Sequence, residues 1–134
     1  HEVVLDGPDV DLAPNDALSF GLAIHELATN AAKYGSLSVD GGRVEIHWAK
    51  VNERLAKVEW TERGGPTVVR PERRGFGTEL IEKIVAHELR HPVDLVFDER
   101  GVCCTLLVPV RQPSEFALRA AYQNGNGQPP QSES

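Results

Sequence analysis

Cysteine is scarce in this sequence, and the scarcity is informative: only Cys103 and Cys104 occur, side by side in an apolar run. A bridge between adjacent cysteines is strained, and the pair lacks metal-ligand spacing, so a disulfide scaffold and a cysteine zinc cluster are both excluded and buried, reduced thiols are expected. Basic charge is also in short supply. Fourteen Lys and Arg against twenty Asp and Glu give a formal net charge of -6, which argues against a generic nucleic-acid or anionic-membrane surface, because such partners are held by clustered cations. No apolar run is long enough to span a bilayer, and no basic-then-apolar leader opens the chain, so a cytoplasmic location is expected, with any parent protein soluble or membrane-tethered.

Familiar catalytic patterns are missing as well. His25-Glu26 is not followed by a second histidine four residues after the first, since Thr29 stands there, so the helical zinc-protease motif fails. The phosphate loop ending in Gly-Lys-Ser/Thr is absent, as is a nucleophile elbow. His87 and His91 have helical spacing but no third ligand in view, which fits helix-end dipole partners or surface residues better than a metal site. No internal repeat is visible.

What remains is a chain of 134 residues, 40% hydrophobic and 25% charged, the size and composition of one soluble globular domain. An apolar stretch from Val3 to Leu5 comes first, and a helix is expected from about Asp16 to Tyr34, with Pro14 before it and Gly35 after it as boundary residues. Alternation of Val44, Ile46 and Trp48, then a polar turn at Asn52-Glu53-Arg54, predicts a hairpin over Arg43 to Trp60. A Gly-, Pro- and Arg-rich loop follows from Thr61 to Arg74. A second helix is expected over Thr78 to Leu89, and a second hairpin over Val93 to Val110. Helices interleaved with hairpins predict an α+β fold: a two-layer α/β sandwich whose mostly antiparallel, mixed sheet carries its helices on one face. The domain is expected to span residues 1–122, including a short helix near Ser114 to Ala121, with residues 123–134 a flexible tail or linker.

Three clusters carry chemistry. In the first helix Glu26, Asn30 and Lys33 form one polar stripe, while Phe20, Ile24, Leu27, Ala31 and Tyr34 follow the same spacing on the adjoining face. A carboxamide oxygen suits magnesium and an ammonium suits phosphate, although a solvated helix face accounts for the same spacing. The second cluster is Trp60-Thr61-Glu62 followed by Gly64-Gly65-Pro66: an acceptor at a strand end beside glycines that allow close approach, or alternatively a plain turn with Trp60 in the core. The third is Gly75-Phe76-Gly77-Thr78, with Arg70, Arg73 and Arg74 upstream. It places glycines at a helix start, where backbone amides favour phosphate, or forms a simple turn.

Taken together and in this order, the clusters resemble the ATP-binding catalytic domain of sensor histidine kinases. The likeness is to the HWE family, within the gyrase, chaperone, kinase and mismatch-repair ATPase superfamily. His25 in His-Glu-Leu-Ala-Thr-Asn-Ala-Ala-Lys-Tyr-Gly resembles the histidine of that family's N-box, and Trp60-Thr61-Glu62 its Trp-x-Glu signature. The resemblance covers roughly Val3 to Val110 and implies a Bergerat fold. It implies ATP as ligand, Asn30 as the magnesium ligand, Lys33 and Tyr34 by the nucleotide, and Glu62 facing adenine, with Gly64 and Gly65 beside it. It also implies Arg74, Gly75, Phe76, Gly77 and Thr78 as the glycine box. Glu26 is implied as a base or an orienting group, and His25 as a pocket residue that holds the loop near Glu62, with a satisfied core histidine as the alternative. The short interval from Glu62 to Gly75 implies a short lid without a separate phenylalanine box.

The family's phosphoacceptor histidine lies on an upstream dimerisation helix, and nothing before His25 supplies one. The resemblance therefore implies the catalytic half of a longer, homodimeric kinase. Its partners would be ATP/ADP, a histidine-bearing dimerisation domain and the receiver domain of a response regulator, with no nucleic acid. Two rival functions share the fold: a serine kinase acting on a sigma-factor regulator, and a nucleotide-sensing or scaffold module without catalysis.

Overall fold

The computed structural model describes residues 2–66 and 79–111. The glycine box from Arg74 to Thr78 and the short helix expected near Ser114 lie outside the described residues, as does the whole of the expected tail.

Strand β1 (Glu2–Asp6) is followed by helix α1 (Pro14–Tyr34) and a single 3-10 turn, Ser36–Ser38. The hairpin of β2 (Arg43–Asn52) and β3 (Leu55–Arg63) comes next. A π-helical stretch, Leu80–Val85, runs directly into α2 (Ala86–Leu89), and the chain closes on the hairpin of β4 (Asp94–Asp98) and β5 (Gly101–Pro109). The sheet order is β1-β2-β3-β5-β4. Only β1 pairs in parallel, placing Val3 opposite Val44 and Leu5 opposite Ile46. The other three pairings are antiparallel, so the mixed, mostly antiparallel α+β architecture expected from the sequence is the one observed.

Each helix end has a local cause. Helix α1 starts at Pro14, two residues before the expected Asp16, because proline's fixed φ and missing N–H suit the first helical position. Asp16 in the first turn and Lys33 in the last both match the helix dipole. The second helix ends on Arg90, which takes a left-handed conformation (φ 63) without being glycine. Its N–H reaches the carbonyls of Ala86 and His87. The Arg90 guanidinium lies 3.6 Å from the carboxylate of buried Asp16, so the end of one helix is tied to the start of the other.

The core forms where the helices meet one sheet face: Ala23, Leu27 and Ala31 of α1, and Ile81, Val85 and Leu89 of the second helix, pack on Val44, Trp60, Cys104 and Leu106. The expected apolar face of α1 is therefore only partly right. Leu27 and Ala31 are buried, Phe20 and Ile24 are at the margin, and Tyr34 is 40% exposed. Tyr34 is the last helical residue, and beyond it Gly35 and Ser36 turn inward and take the buried place instead.

The two cysteines also divide. Both are free thiols; Cys104 is buried and Cys103 only partly so, because neighbouring residues of a strand face opposite sides of the sheet. Burial, aided by the negative charges of Asp94 and Glu82 and by Cys103, pushes the Cys104 thiol up from the ordinary 9.0 to about 12.

Candidate functional site

The C-terminal end of α1 and the C-terminal end of β3 converge on one carboxylate. Glu62 is 2% exposed, and a carboxylate so placed must be hydrogen-bonded to remain charged. The Ser36 amide donates to Glu62 Oε1 at 3.2 Å, and the Trp60 indole N–H donates to Glu62 Oε2 at 3.0 Å. Trp60 and Glu62 are two apart on β3 and therefore share a sheet face, where period-2 geometry lets the indole reach the carboxylate. Trp60 thus has both roles the sequence left open: at 2% exposed it fills the core, and it holds the glutamate.

Glycine is needed where the backbones close in. At Gly35 the backbone is not left-handed (φ -118), so a helix-ending turn is not the reason for glycine there. A Cβ at Gly35 would collide with Glu62 Oε1. Gly64 does have a left-handed backbone (φ 72), and a Cβ on Gly65 would lie 2.6 Å from Ser36 Cα. The Gly64-Gly65 turn is consequently pressed against the residue that caps Glu62.

The polar stripe of α1 leads into this corner. Glu26 and Asn30 are half-buried, whereas Lys33 is exposed in the last turn. His25 is exposed, so it is not the satisfied core histidine that the sequence left open. Tyr34, half out of the surface, stands beside Gly35 at the helix end. Arg74, Gly75, Phe76, Gly77 and Thr78 lie outside the described residues. Among the described residues no group of three or more His, Cys, Asp or Glu is placed to hold a metal ion.

No sequence pattern marks Ser36, and Gly35 carries two sequence signals, as a helix boundary and as the end of the N-box stretch, neither of which announces its contact with Glu62. That contact arises from the packing of α1 against β3, two elements distant in the chain.

A cavity of about 410 Å³ lies at the opposite end of the strands, away from Glu62, lined by Phe20, Ile24, Ile46, Trp48, Val58 and Val108 among others. Its wall is aliphatic and aromatic apart from Asp9, and the indole N–H of Trp48 already donates to the Pro8 carbonyl, so the wall offers a polyanion no cation.

No protein-family model matches the chain. Its sequence is 43% identical over 116 residues to blue-light-activated histidine kinase 1 of Erythrobacter litoralis, an alignment covering 84% of this chain and 32% of that protein. The chain is a homologue of the blue-light-activated histidine kinases. It spans about a third of the length of that histidine kinase. Among solved structures, the histidine kinase domain of an Erythrobacter litoralis blue-light-activated kinase superposes with a TM-score of 0.67 at 17% identity, covering 81% of this chain and 54% of that one. Full-length ShkA in complex with AMPPNP superposes with a TM-score of 0.61 at 14% identity, over 83% of this chain and 26% of that one. At these identities the superpositions establish the fold, which is that of the histidine kinase catalytic domain.

Proposed function

We propose that this histidine kinase homologue binds magnesium-ATP and presents the γ-phosphate to a histidine on a separate dimerisation domain, as a step of two-component signalling. The observation that carries the reading is Glu62, a buried carboxylate fixed by two donors at the foot of a helix that bears Asn30 and Lys33. An ionised carboxylate has roughly four acceptor positions. The Ser36 amide and the Trp60 indole use two of them, leaving acceptors for the exocyclic amino group of adenine.

The donor set also suits the implied metal. Asn30 supplies a hard carboxamide oxygen, and Glu26 lies one turn earlier on the same stripe. Magnesium usually takes one or two protein oxygens and completes its shell with phosphate and water, so a dedicated protein cage is not required. When bound, the ion would neutralise phosphate charge. Lys33 contributes an ammonium in the last helical turn, exposed and able to reach an anionic ligand. Glu26 orients the acceptor imidazole or a water. The Gly75-Phe76-Gly77-Thr78 segment, with Arg74 before it in the sequence, lies outside the described residues and is assigned to the phosphates by the family resemblance alone. Phosphoryl transfer needs little more than such positioning and charge neutralisation.

The parent kinase, on this reading, is a homodimer that passes its phosphate to the receiver domain of a response regulator. Among the described residues no helix is long and apolar enough to cross a membrane.

The test is to supply the chain with a histidine-bearing dimerisation domain from a related kinase and radiolabelled ATP. Acid-labile, base-stable label on the added domain is the expected result. Acid-stable label on serine would point to the serine-kinase function instead, and absence of transfer with retained ATP binding would point to a non-catalytic module.

A further inference from the structure

Ser36 is 2% exposed, and its hydroxyl is buried with no hydrogen-bond partner among the described residues. The neighbouring Ser38 is different: its hydroxyl donates to the Gly35 carbonyl at 2.6 Å. The turn after α1 thus satisfies one serine and leaves the other without a partner. A buried hydroxyl without a partner is costly, and in folded proteins such groups point to a ligand or a water.

Its location favours a ligand. The Ser36 backbone amide is on Glu62 Oε1 at 3.2 Å, so the free hydroxyl and the glutamate belong to one corner. The backbone there cannot shift easily. A Cβ on Gly42 would collide with the Ser36 carbonyl oxygen, and one on Gly65 would lie 2.6 Å from Ser36 Cα. Packing from both sides therefore fixes the residue.

The pair has a defined recognition chemistry. An ionised carboxylate only accepts hydrogen bonds, whereas a hydroxyl can donate. Acceptor beside donor complements the edge of adenine, which offers an amino donor at C6 and a lone pair at N1. Hypoxanthine and guanine present the reverse, a carbonyl at C6 and an N–H at N1, and would leave the carboxylate facing an oxygen. A site built in this way rejects the wrong base because its buried polar groups would then be unpaired.

We propose that the Ser36 hydroxyl is a specificity determinant of the nucleotide site, donating to N1 of adenine beside the contact that Glu62 makes to the amino group. The proposal rests on the nucleotide-binding reading given above and adds to it a residue and a ring atom.

The experiment is calorimetric titration of the whole chain with ATP, with 1-deaza-ATP, in which N1 is replaced by C–H, and with ITP, repeated on Ser36→Ala. The wild type should bind 1-deaza-ATP roughly 3- to 10-fold more weakly than ATP, the range of one net hydrogen bond. In Ser36→Ala the two should bind alike, both near the wild-type value for 1-deaza-ATP. Equal wild-type affinities for ATP and 1-deaza-ATP would overturn the proposal whether or not the variant folds. So would an unchanged ratio in Ser36→Ala, which would make the hydroxyl a water-bound structural group. A preference for ATP over ITP in either of those cases would leave Glu62 as the base reader and remove only Ser36. No binding of any of the three nucleotides would overturn the nucleotide reading and this proposal together.

Discussion

The indole nitrogen of Trp60 lies 3.0 Å from Glu62 Oε2, inside the core and two positions away on the same strand. The pair explains in physical terms why a tryptophan, rather than another large apolar residue, precedes the glutamate: the ring fills space, and its single N–H stabilises a buried negative charge.

Removing the N–H, together with part of the ring volume, should therefore be costly. Trp60→Phe keeps an aromatic ring but leaves Glu62 Oε2 without this donor, and a loss of about 1–3 kcal/mol in unfolding free energy is expected. Urea denaturation followed by circular dichroism measures it. A variant as stable as the wild type would mean that the hydrogen bond is not what holds the carboxylate.

Gly35 gives a separate prediction. Its backbone angles do not require glycine, but Glu62 Oε1 occupies the space where a Cβ would sit. Gly35→Ala should cost about 1–3 kcal/mol through overpacking. It should also weaken ATP binding, because the displaced group is the carboxylate proposed to read the base. Had the glycine been needed only to end the helix, stability would fall without that loss of affinity.

The buried thiol gives a pH dependence. The Cys104 pKa is raised by burial from 9.0 to about 12, so between those values the folded chain holds a proton that the unfolded chain releases. This contribution to stability is fully present below about pH 9 and is lost as the pH rises toward about 12, with a slope of at most about 1.4 kcal/mol per pH unit. The difference in unfolding free energy between wild type and Cys104→Ala, measured by denaturant titration at several alkaline pH values, should narrow across that window. A constant difference would contradict the assigned pKa.

The parts of the fold that depend on local periodicity were legible before the structure. Both hairpins, from Arg43 and from Val93, follow from alternating apolar residues and polar turns, and α1 follows from its spacing and from Pro14. Features set by long-range packing were not. Tyr34 fitted the apolar spacing of α1, yet it stands at the surface because the chain turns inward one residue later. The left-handed cap at Arg90 has no glycine to announce it.

The candidate site divides in the same way. The motif marks Glu62 and the helical stripe marks Asn30 as the residues proposed for it, but the contact of Ser36 with Glu62 becomes visible only when α1 and β3 are brought together. His25, whose place the sequence left open between pocket and core, is exposed on the helix.

The most direct test of the central claim is titration of this chain with ATP, with and without magnesium, alongside Asn30→Ala and Glu62→Ala. The account predicts that the wild type binds ATP more tightly with magnesium, that Asn30→Ala loses the magnesium dependence, and that Glu62→Ala loses preference for adenine while keeping it for magnesium. A folded wild type that binds no nucleotide, or magnesium dependence that survives in Asn30→Ala, would contradict it.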